Sequence, residues 1–544
     1  MSLPNFDTQG TLFGSMSSVA PSLFADNDRF RLFAQTVWPV LAGTRQTLKA
    51  CYCTTNGRAG VEPVVLLGVL IFQYLERVPD RQAMELVKYH LGWKLALNLD
   101  LQHQGFHPTT LVYFRQRLLA NDKADLAFRA VVEALEKEGF VPKRGKQRLD
   151  STHIVGAVAR LSSLECVRET IRLAIGEIEP KLQELPHFWP LLRERYVENK
   201  LDYRSPEPVL KDKLALAGAD IRELLEWLDA APAKLSEGRQ AVLLRQVFAE
   251  QFTIVEKQAK PQPVKVHATA VVQNPHDPQA HWSAKGHGKK KKDWVGYKVQ
   301  VAETVSDGAL EKGEPTRNFL TSLVTQGSTQ SDEAGMVAMM ETQASMGQEA
   351  PAELYVDGAY VSAAVLDRAQ AEGREVVGPA QPSPAKGKGY RTDAFDIAVE
   401  ERRAVCPAGK TNTQCSRLEE AKEGGRVDYR FEWSKHCRDG LLRGECVSPG
   451  QSHRTVVVGE HHSVLQKRRR EQKTEAFAER MKQRNAIEGT QSVLVRAHGL
   501  RRARYRGLAK VDLQNQMIGA ACNIKRWLRV LVWEKSPKRN PINP

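Results

Sequence analysis

The chain changes character at Lys146–Val158, which reads KQRLDSTHIVGAV. The residues before it follow helical patterns, whereas this stretch is rich in β-branched side chains and contains Gly156, with Gly145 just before it. That composition predicts a β-strand. The predicted strand carries one carboxylate, Asp150, in the segment LDST.

Downstream of this strand, helical and β patterns alternate. Residues 160–258 are helical and mixed in charge, and we interpret them as an insertion. Three strand-like runs follow, with the Gly/Lys-rich loop SAKGHGKKKKD between the first two: VKVHATAVVQ (264–273), DWVGYKVQVAETV (293–305) and NFLTSLVTQ (318–326). A helix capped by Ser331 then precedes the strand AELYVDGAY, which ends at Asp357, and a further helix and strand. This order predicts an α/β fold, in which ligands bind where strands end.

A strongly basic stretch follows a second interruption of the core pattern. It runs from Gln466 to Lys510 and holds fourteen Lys and Arg residues against four Glu. One of these acids, Glu488, is placed on a helix with Arg484 one turn before it and Arg496 two turns after it, so all three share a face. Taken alone, Glu488 is better explained as half of a surface ion pair with Arg484.

Together, the three acids suggest a specific chemistry. Two Asp on neighbouring strands and one Glu on a helix packed against them can hold two Mg²⁺ ions, because Mg²⁺ prefers oxygen ligands. Two such ions promote in-line displacement at phosphorus. Each Asp alone is more simply a turn former at a strand end.

Bulk composition limits the classes of protein. At 544 residues the chain is expected to form two to four domains, and 42% hydrophobic with 26% charged residues is typical of a globular protein. The net charge of +15 favours an acidic partner such as nucleic acid. The longest apolar run, Val64–Phe72, is shorter than the roughly 18 residues of a membrane span. Eight cysteines without a dense framework, and no secretion signal at the start, fit a reducing cytoplasm.

The first part of the chain is predicted to be helical. Residues 1–30 are expected to be a loose arm, followed by helices at 64–78 and at 80–99, the latter capped by Asp80. A third helix in HPTTLVYFRQRLLAND starts at a Thr cap and is expected to direct Arg115 and Arg117 away from its apolar side. A DNA-binding module and a plain helical domain with solvated arginines explain this region equally well.

Beyond these patterns, the sequence resembles the DDE transposases of bacterial insertion sequences, whose core is ribonuclease-H-like. LDST is similar to their first Asp motif, YVDGAY to the second, and Arg484 with Glu488 to the Arg-x-x-x-Glu of the third. Three further segments are similar to sequences of the branch that has an N-terminal helical region: HPTTLVYFRQRL, DPQAHWSAKG…GYKVQVAET and the final IEGT…GLRRARYRGLAK. The resemblance covers nearly the whole chain.

This resemblance implies an organisation for the whole chain. The expected fold is α/β, a ribonuclease-H-like mixed sheet with flanking helices, interrupted by insertions and preceded by a helical domain. Residues 1–140 would be the helical, DNA-binding region. Residues 141–380 would be the first part of the core, with the helical insertion at 160–258. Residues 381–465 would be a Cys-containing insertion, and residues 466–544 would complete the core with the Glu488 helix and a basic tail.

The resemblance also implies a function. The chain would bind the ends of its insertion sequence, cleave DNA with Mg²⁺, for which Mn²⁺ can substitute, and join the freed 3′ ends to target DNA. Asp150, Asp357 and Glu488 would be the catalytic metal ligands. Contacts to DNA are expected from Arg484, Arg496, Arg501, Arg502, Arg504, Lys510, Arg115 and Arg117. The expected partners are double-stranded DNA, as inverted-repeat ends and target, and a second copy of the chain in the DNA complex. The protein would act in the bacterial cytoplasm, at the nucleoid when bound to DNA, and a membrane is not among its expected partners.

Two other functions stay open at this stage. One is a ribonuclease-H-like nuclease that cuts without joining. The other is a DNA-binding protein derived from a transposase that is no longer catalytic.

The chain departs from the family pattern at several positions. Met481 stands where related branches have a Tyr, and Val495 where they have a Lys, for which the neighbouring Arg496 can substitute. Glycine is energetically unfavourable inside a helix, and close approach of a DNA backbone would explain why position 489 is Gly489.

The second insertion raises the question of zinc. Cys406, Cys415, Cys437 and Cys446 could bind a structural Zn²⁺, although eight residues intervene within each pair and unpaired reduced thiols are the stronger alternative. Relatives often carry a further Cys near Gly440. The Lys289–Lys292 run is expected to be a solvated loop, with DNA contact as the second interpretation.

Overall fold

A computed structural model describes residues 2–4, 16, 22–53, 60–202, 204–255, 258–262, 271–286, 291–306, 308, 310–383, 389–419, 427–438, 440–448 and 450–535. The fold is mixed α/β: one mixed sheet with helices on both faces, an N-terminal helical region, and two insertions. No helix among the described residues is long and apolar enough to cross a lipid bilayer.

The central sheet contains six strands in the described part of the chain. They are β1 (Lys146–Val155), β2 (His281–Lys285), β3 (Lys292–Thr304), β4 (Leu320–Gly327), β5 (Glu353–Tyr355) and β6 (Glu375–Val377). The long strand β3 lies antiparallel to β1, β2 and β4, whereas β5 lies parallel to β1 and to β6. Counted across the sheet, the order is therefore β4-β3-β1-β5-β6, with β2 paired to the start of β3.

Within the described ranges, six helices accompany this sheet. Two of them, α1 (Asp332–Ser345) and α2 (Ala363–Ala371), separate the last strands, and Ser331 and Ser362 cap them through hydrogen bonds to backbone N–H groups. The remaining four follow the second insertion: α3 (His462–Glu471), α4 (Glu475–Asn485), α5 (Ile487–His498) and α6 (Leu508–Glu534). The predicted alternation of strands and helices and the Ser331 cap are confirmed.

Some predicted strands differ from the observed ones. DWVGYKVQVAETV and NFLTSLVTQ form β3 and β4, as expected. Most of VKVHATAVVQ lies outside the described residues, and its last three residues are not in a strand. The predicted loop SAKGHGKKKKD is partly wrong, because its ends belong to β2 and β3, which pair as a hairpin. Lys289 and Lys290 of the lysine run lie outside the described residues, and Lys292 begins β3.

The N-terminal region is helical but more divided than the sequence predicts. The expected loose arm lies largely outside the described residues, and those described before Arg29 already include helical positions at Met16, Ser22 and Leu23. The long helix predicted after Asp80 is wrong, because the backbone turns extended at His90 and separates two shorter helices. Neither expected N-cap is present, because Pro79 and Pro108 occupy the N-cap positions of the two helices. The Asp80 carboxylate therefore does not cap its helix. The helices of this region after Arg29 are Arg29–Leu32, Trp38–Gly43, Arg45–Lys49, Pro63–Leu75, Asp80–Tyr89, Leu91–Ala96, Thr109–Ala120 and Leu126–Lys137.

The two insertions fold around their own apolar clusters. The first is helical, as predicted, and ends in a small hairpin. Its elements are Ser163–Ile178, Trp189–Arg193, Glu207–Asp229, Ala233–Ser236, Arg239–Gln251, Phe252–Val255 and Gln258–Pro261. The second is mainly β, with the strands Asp396–Ala398, Arg403–Val405, Gln414–Glu419, Val427–Glu432 and Thr455–Gly459 and the short helix Arg443–Cys446.

One large apolar cluster joins the N-terminal helices, one face of the sheet and α6. The other face of the sheet packs against α1 and α2. One close approach in the large cluster is at Gly519 of α6. A Cβ there would lie 2.4 Å from Leu323 Cδ1 in β4 and 3.0 Å from the Phe128 ring in the N-terminal region. Helix α6 therefore joins the N-terminal helices to the sheet.

We expect Gly519→Ala to destabilise the protein by about 1–3 kcal/mol, because the added methyl group forces neighbouring side chains out of place. The measurement is chemical unfolding followed by circular dichroism. Gly176→Ala is the matched control, since a Cβ there has no neighbour within 4 Å. It should stabilise its helix by about 0.5–1 kcal/mol. Equal effects of the two changes would contradict the packing described here.

Candidate active site

The three predicted acids come together around one arginine. Asp150 lies on β1, Asp357 follows the end of β5, and Glu488 lies in the first turn of α5. Arg484 Nη2 is 2.8 Å from Asp150 Oδ2 and 3.8 Å from Asp357 Oδ2, and its Nη1 is 3.3 Å from Glu488 Oε1. A single guanidinium therefore bridges carboxylates from two strands and a helix.

Strand pairing explains how the two Asp residues meet. Arg148 of β1 pairs with Tyr355 of β5 in parallel, and each Asp lies two residues further along the chain. The general rule for α/β folds places a ligand-binding acid at the carboxyl end of its strand. Asp150 instead lies in the middle of β1. It still faces a strand end, because β5 stops at Tyr355 while β1 continues.

The loop after β5 is shaped for close packing. The Asp357 carboxylate accepts a hydrogen bond from the Ala359 N–H at 2.8 Å, which closes a turn. At Gly358 a Cβ would lie 2.9 Å from the Pro379 carbonyl oxygen, so a side chain would force the loop away from its neighbour.

The helix that carries Glu488 is interrupted. The sequence predicts one continuous helix through Arg484, Glu488 and Arg496, whereas α4 ends at Asn485 and α5 begins at Ile487. At the junction, the Gly489 N–H donates to the Ala486 carbonyl at 3.1 Å. The ion pair between Arg484 and Glu488 spans this junction.

The three carboxylates differ strongly in exposure. The side chain of Asp150 is 12% exposed, whereas those of Asp357 and Glu488 are 40% and 70% exposed. Burial raises the pKa of Asp150, against the opposing effects of Arg484 and of the Ser151 N–H; the nearby Asp357 carboxylate raises it further. The site is thus anchored inside the protein at Asp150 and open to solvent at Glu488.

The donor set suits a hard divalent cation. Three carboxylates supply oxygen ligands of the kind that Mg²⁺ prefers. Among the described residues no three His, Cys, Asp or Glu side chains are close enough to form a ready-made metal site, and here the guanidinium lies between the acids. The buried Nε of Arg484 has no hydrogen-bond partner in the described part of the chain. The arginine is therefore held only through its outer nitrogens.

The arginines and lysine expected to contact DNA fall into two groups. Arg496, Arg502, Arg504 and Lys510 are exposed, whereas Arg501 is half-buried and its Nη1 donates to the His153 carbonyl at 2.6 Å. Arg504 also stacks over the Tyr74 ring at 4.6 Å. This basic segment therefore connects the sheet to the N-terminal helices.

The two N-terminal arginines have partners within the protein. Arg115 is 9% exposed and forms a bidentate pair with Asp80, at 2.5 and 3.0 Å. The expectation that it points away from the apolar side of its helix is wrong, because Arg115 is buried and its partly buried pair with Asp80 lies between two helices. Arg117 lies over the Tyr52 ring at 4.7 Å. The exposed face of the same helix instead carries Val112, Tyr113 and Gln116.

The departures from the family pattern have local explanations. Met481 packs beside Tyr355 and Phe477, and Val495 packs against the large apolar cluster. A Cβ at Gly489 would meet no atom within 4 Å. The protein's own packing therefore does not require glycine at that position.

Three of the four insertion thiols lie near one another. Burial raises the pKa of the Cys446 thiol, Arg454 lowers it, and the nearby Cys437 and Cys406 raise it. All four thiols are free, and within the described residues they do not form a complete ligand group. The zinc site stays a prediction.

Sequence reasoning missed the residues beneath the acids. Arg148, Glu303, Thr490 and Arg526 form a buried, hydrogen-bonded cluster next to the α4–α5 junction. The available signal was the placement of charged residues inside strands that are otherwise apolar, at Arg148 and Glu303. Lys285 was also missed, and its charge acts on both Asp150 and His153.

Comparison with known protein families gives two matches. Residues 20–117 match a transposase domain family, DUF772, and residues 405–528, which include Glu488, match the transposase DDE domain. The comparison with curated proteins gives no match. Both matches are to transposase families, and together they support a DDE-type transposase of an insertion sequence.

We expect Arg484→Ala to lower the free energy of unfolding by roughly 1–3 kcal/mol near neutral pH, because three ionised carboxylates lose their shared cation. The loss should shrink at acidic pH. Without Arg484 the folded-state pKa of Asp150 rises further, so the folded state is favoured when Asp150 is protonated and penalised as pH rises through that pKa. Urea unfolding at several pH values provides the measurement.

Lys482→Ala is the control for that experiment, since Lys482 is an exposed cation on the same helix. A pH-independent loss in Arg484→Ala, equal to that of the control, would show that the arginine does not offset carboxylate repulsion.

Proposed function

We propose that this transposase binds the ends of its insertion sequence, cleaves DNA in a Mg²⁺-dependent reaction and joins the freed 3′-hydroxyl ends to target DNA. The observation that carries the proposal is the convergence of Asp150, Asp357 and Glu488 on Arg484 at the end of β5. The strand order β4-β3-β1-β5-β6, with antiparallel strands on one side of β1 and parallel strands on the other, supports a ribonuclease-H-like core.

Asp150, Asp357 and Glu488 would hold the metal ions, which supply activation of the attacking oxygen and stabilisation of the leaving one. Asp150 is the fixed ligand, because its strand is paired on both sides. Glu488 is the accessible ligand, exposed where a DNA strand can reach it. Arg484 would release the carboxylates and pair with a DNA phosphate through its outer nitrogens.

The exposed arginines would hold double-stranded DNA by its phosphates. Arg496, Arg502, Arg504 and Lys510 lie on the segment that follows Glu488, so DNA bound there passes the acids. Gly489 leaves open space beside Glu488 for a DNA backbone. Arg501 would contact DNA from a more buried position, in which its Nη1 donates a hydrogen bond to the His153 carbonyl.

End recognition is assigned to the N-terminal helices. Because Arg115 is paired with Asp80, it would support the helix Thr109–Ala120, whose exposed face carries Val112, Tyr113 and Gln116. An uncharged exposed face is suited to reading base edges, with Arg117 at its side to reach phosphate. We further propose that two copies act together on paired ends, in the bacterial cytoplasm at the nucleoid.

We expect Glu488→Gln to reduce cleavage and joining in Mg²⁺ by several orders of magnitude while DNA binding survives, since the change removes one ligand charge. Mn²⁺ should restore part of the activity. The assay uses labelled end DNA, with cleavage and strand joining scored separately.

Glu479→Gln is the matched control for that assay, because Glu479 is an exposed acid on α4 that pairs with Lys482. Near-normal cleavage by Glu488→Gln would place the third ligand elsewhere. Cleavage without joining in the unaltered protein would identify a nuclease, and binding without either reaction would identify a non-catalytic DNA-binding protein.

We expect the double change Arg502→Ala and Lys510→Ala to weaken binding to end DNA and to unrelated DNA equally. The slope of log affinity against log salt should fall by about one for each lost phosphate contact. Fluorescence anisotropy over a range of salt concentrations measures both quantities. Loss of end binding alone, with the slope unchanged, would make these residues base readers.

A further inference from the structure

A buried ionic cluster lies directly beneath the three acids. Glu303 of β3 is fully buried, and both of its carboxylate oxygens accept hydrogen bonds. Oε1 accepts from Arg148 Nε at 2.6 Å and from Thr490 Oγ1 at 2.9 Å. Oε2 accepts from Arg526 Nη1 at 2.8 Å and lies 2.7 Å from Thr490 Oγ1. A buried carboxylate needs partners of this number and charge to remain ionised.

The partners of Glu303 come from the elements that carry the site. Arg148 lies directly across from Glu303 in the β1–β3 pairing and two residues before Asp150, on the same face of the strand. Thr490 lies two residues after Glu488 in α5. Arg526 belongs to α6, and its Nη2 donates to Thr490 Oγ1 at 2.6 Å.

The cluster holds the α4–α5 junction from both sides. Arg148 Nη1 donates to the Gln483 carbonyl at 3.0 Å, one residue before Arg484. On the other side of the junction, Thr490 is 6% exposed and hydrogen-bonded to Glu303 and Arg526. The segment between these two attachments contains Arg484 and Glu488, and Glu488 itself is exposed and has little packing of its own.

We infer that Glu303 is a positioning residue, which sets the location of the α4–α5 junction, and with it Arg484 and Glu488, relative to Asp150. It acts through Arg148, Arg526 and Thr490 and does not reach the reacting atoms. This inference rests on the proposed function, because it assigns Glu303 a role in the same reaction.

Direct change of Glu303 would leave two buried arginines without a counter-charge and could unfold the protein. The test therefore uses Thr490→Val, which keeps the β-branched shape and removes only the hydroxyl. Misplacement of Glu488 should lower the rate of end cleavage by about 10- to 100-fold. The Mg²⁺ concentration for half-maximal cleavage should rise, whereas DNA affinity should not change. Thr490→Ser, which retains the hydroxyl, should restore most of the activity.

Thr170→Val is the matched control, since Thr170 is also a fully buried helical threonine, bonded to the Cys166 carbonyl in the first insertion. It should leave the rate and the Mg²⁺ requirement unchanged. Hydrogen exchange of residues 484–492 is measured in parallel, and it should be faster in Thr490→Val than in the unaltered protein.

Three results would overturn the inference. One is normal cleavage with a normal Mg²⁺ requirement in Thr490→Val. Another is a loss of activity that Thr490→Ser does not restore or that merely follows the unfolded fraction. The third is unchanged exchange at residues 484–492. If the unaltered protein cleaves no DNA, the proposed function fails, and hydrogen exchange alone then decides whether the Glu303 cluster holds the junction.

Discussion

The burial of the Glu303 carboxylate is the constraint on which the core of this protein depends. An ionised group with no access to water must be matched by cations and hydrogen-bond donors that are brought to it by folding. Its two arginine partners are 155 and 223 positions away in the chain. The strand β1 and the last helix therefore both have to be in place before this carboxylate is satisfied. The same condition places the Glu488 helix against the sheet.

This dependence explains why the chain tolerates two long insertions. Each insertion lies between core elements and packs around its own apolar cluster. In the described parts of the chain, neither insertion supplies a hydrogen-bond partner of Glu303 or one of the three acids. The core elements can thus be far apart in sequence while their contacts stay local in space. Helix α6 completes this arrangement, because it reaches both the sheet and the N-terminal helices.

The electrostatics of the site follow a gradient from the interior to the surface. Arg148 and Arg526 outnumber the one buried carboxylate beneath the site, whereas three carboxylates share Arg484 above it. A locally acidic site is therefore set in a chain with a net charge of +15. Such a site is suited to divalent cations, and a basic surface is suited to the phosphates of DNA. Not all basic residues serve that surface, since Arg115, Arg148 and Arg526 are used inside the protein.

Apart from β2, which was placed largely in a loop, the sequence by itself determined the order of the observed strands and helices in the core, because turn residues, caps and apolar periodicity act over a few neighbouring positions. It also singled out Asp150, Asp357 and Glu488, whose placement next to strand and helix patterns is visible locally. Only the tertiary structure decided that Arg484 joins the three acids, that Arg115 pairs with Asp80, and that Glu303 lies beneath the site. Pattern and composition cannot distinguish an arginine that contacts DNA from one that neutralises a distant carboxylate. The difference depends on burial and on partners tens to hundreds of residues away, and only the folded chain brings these together.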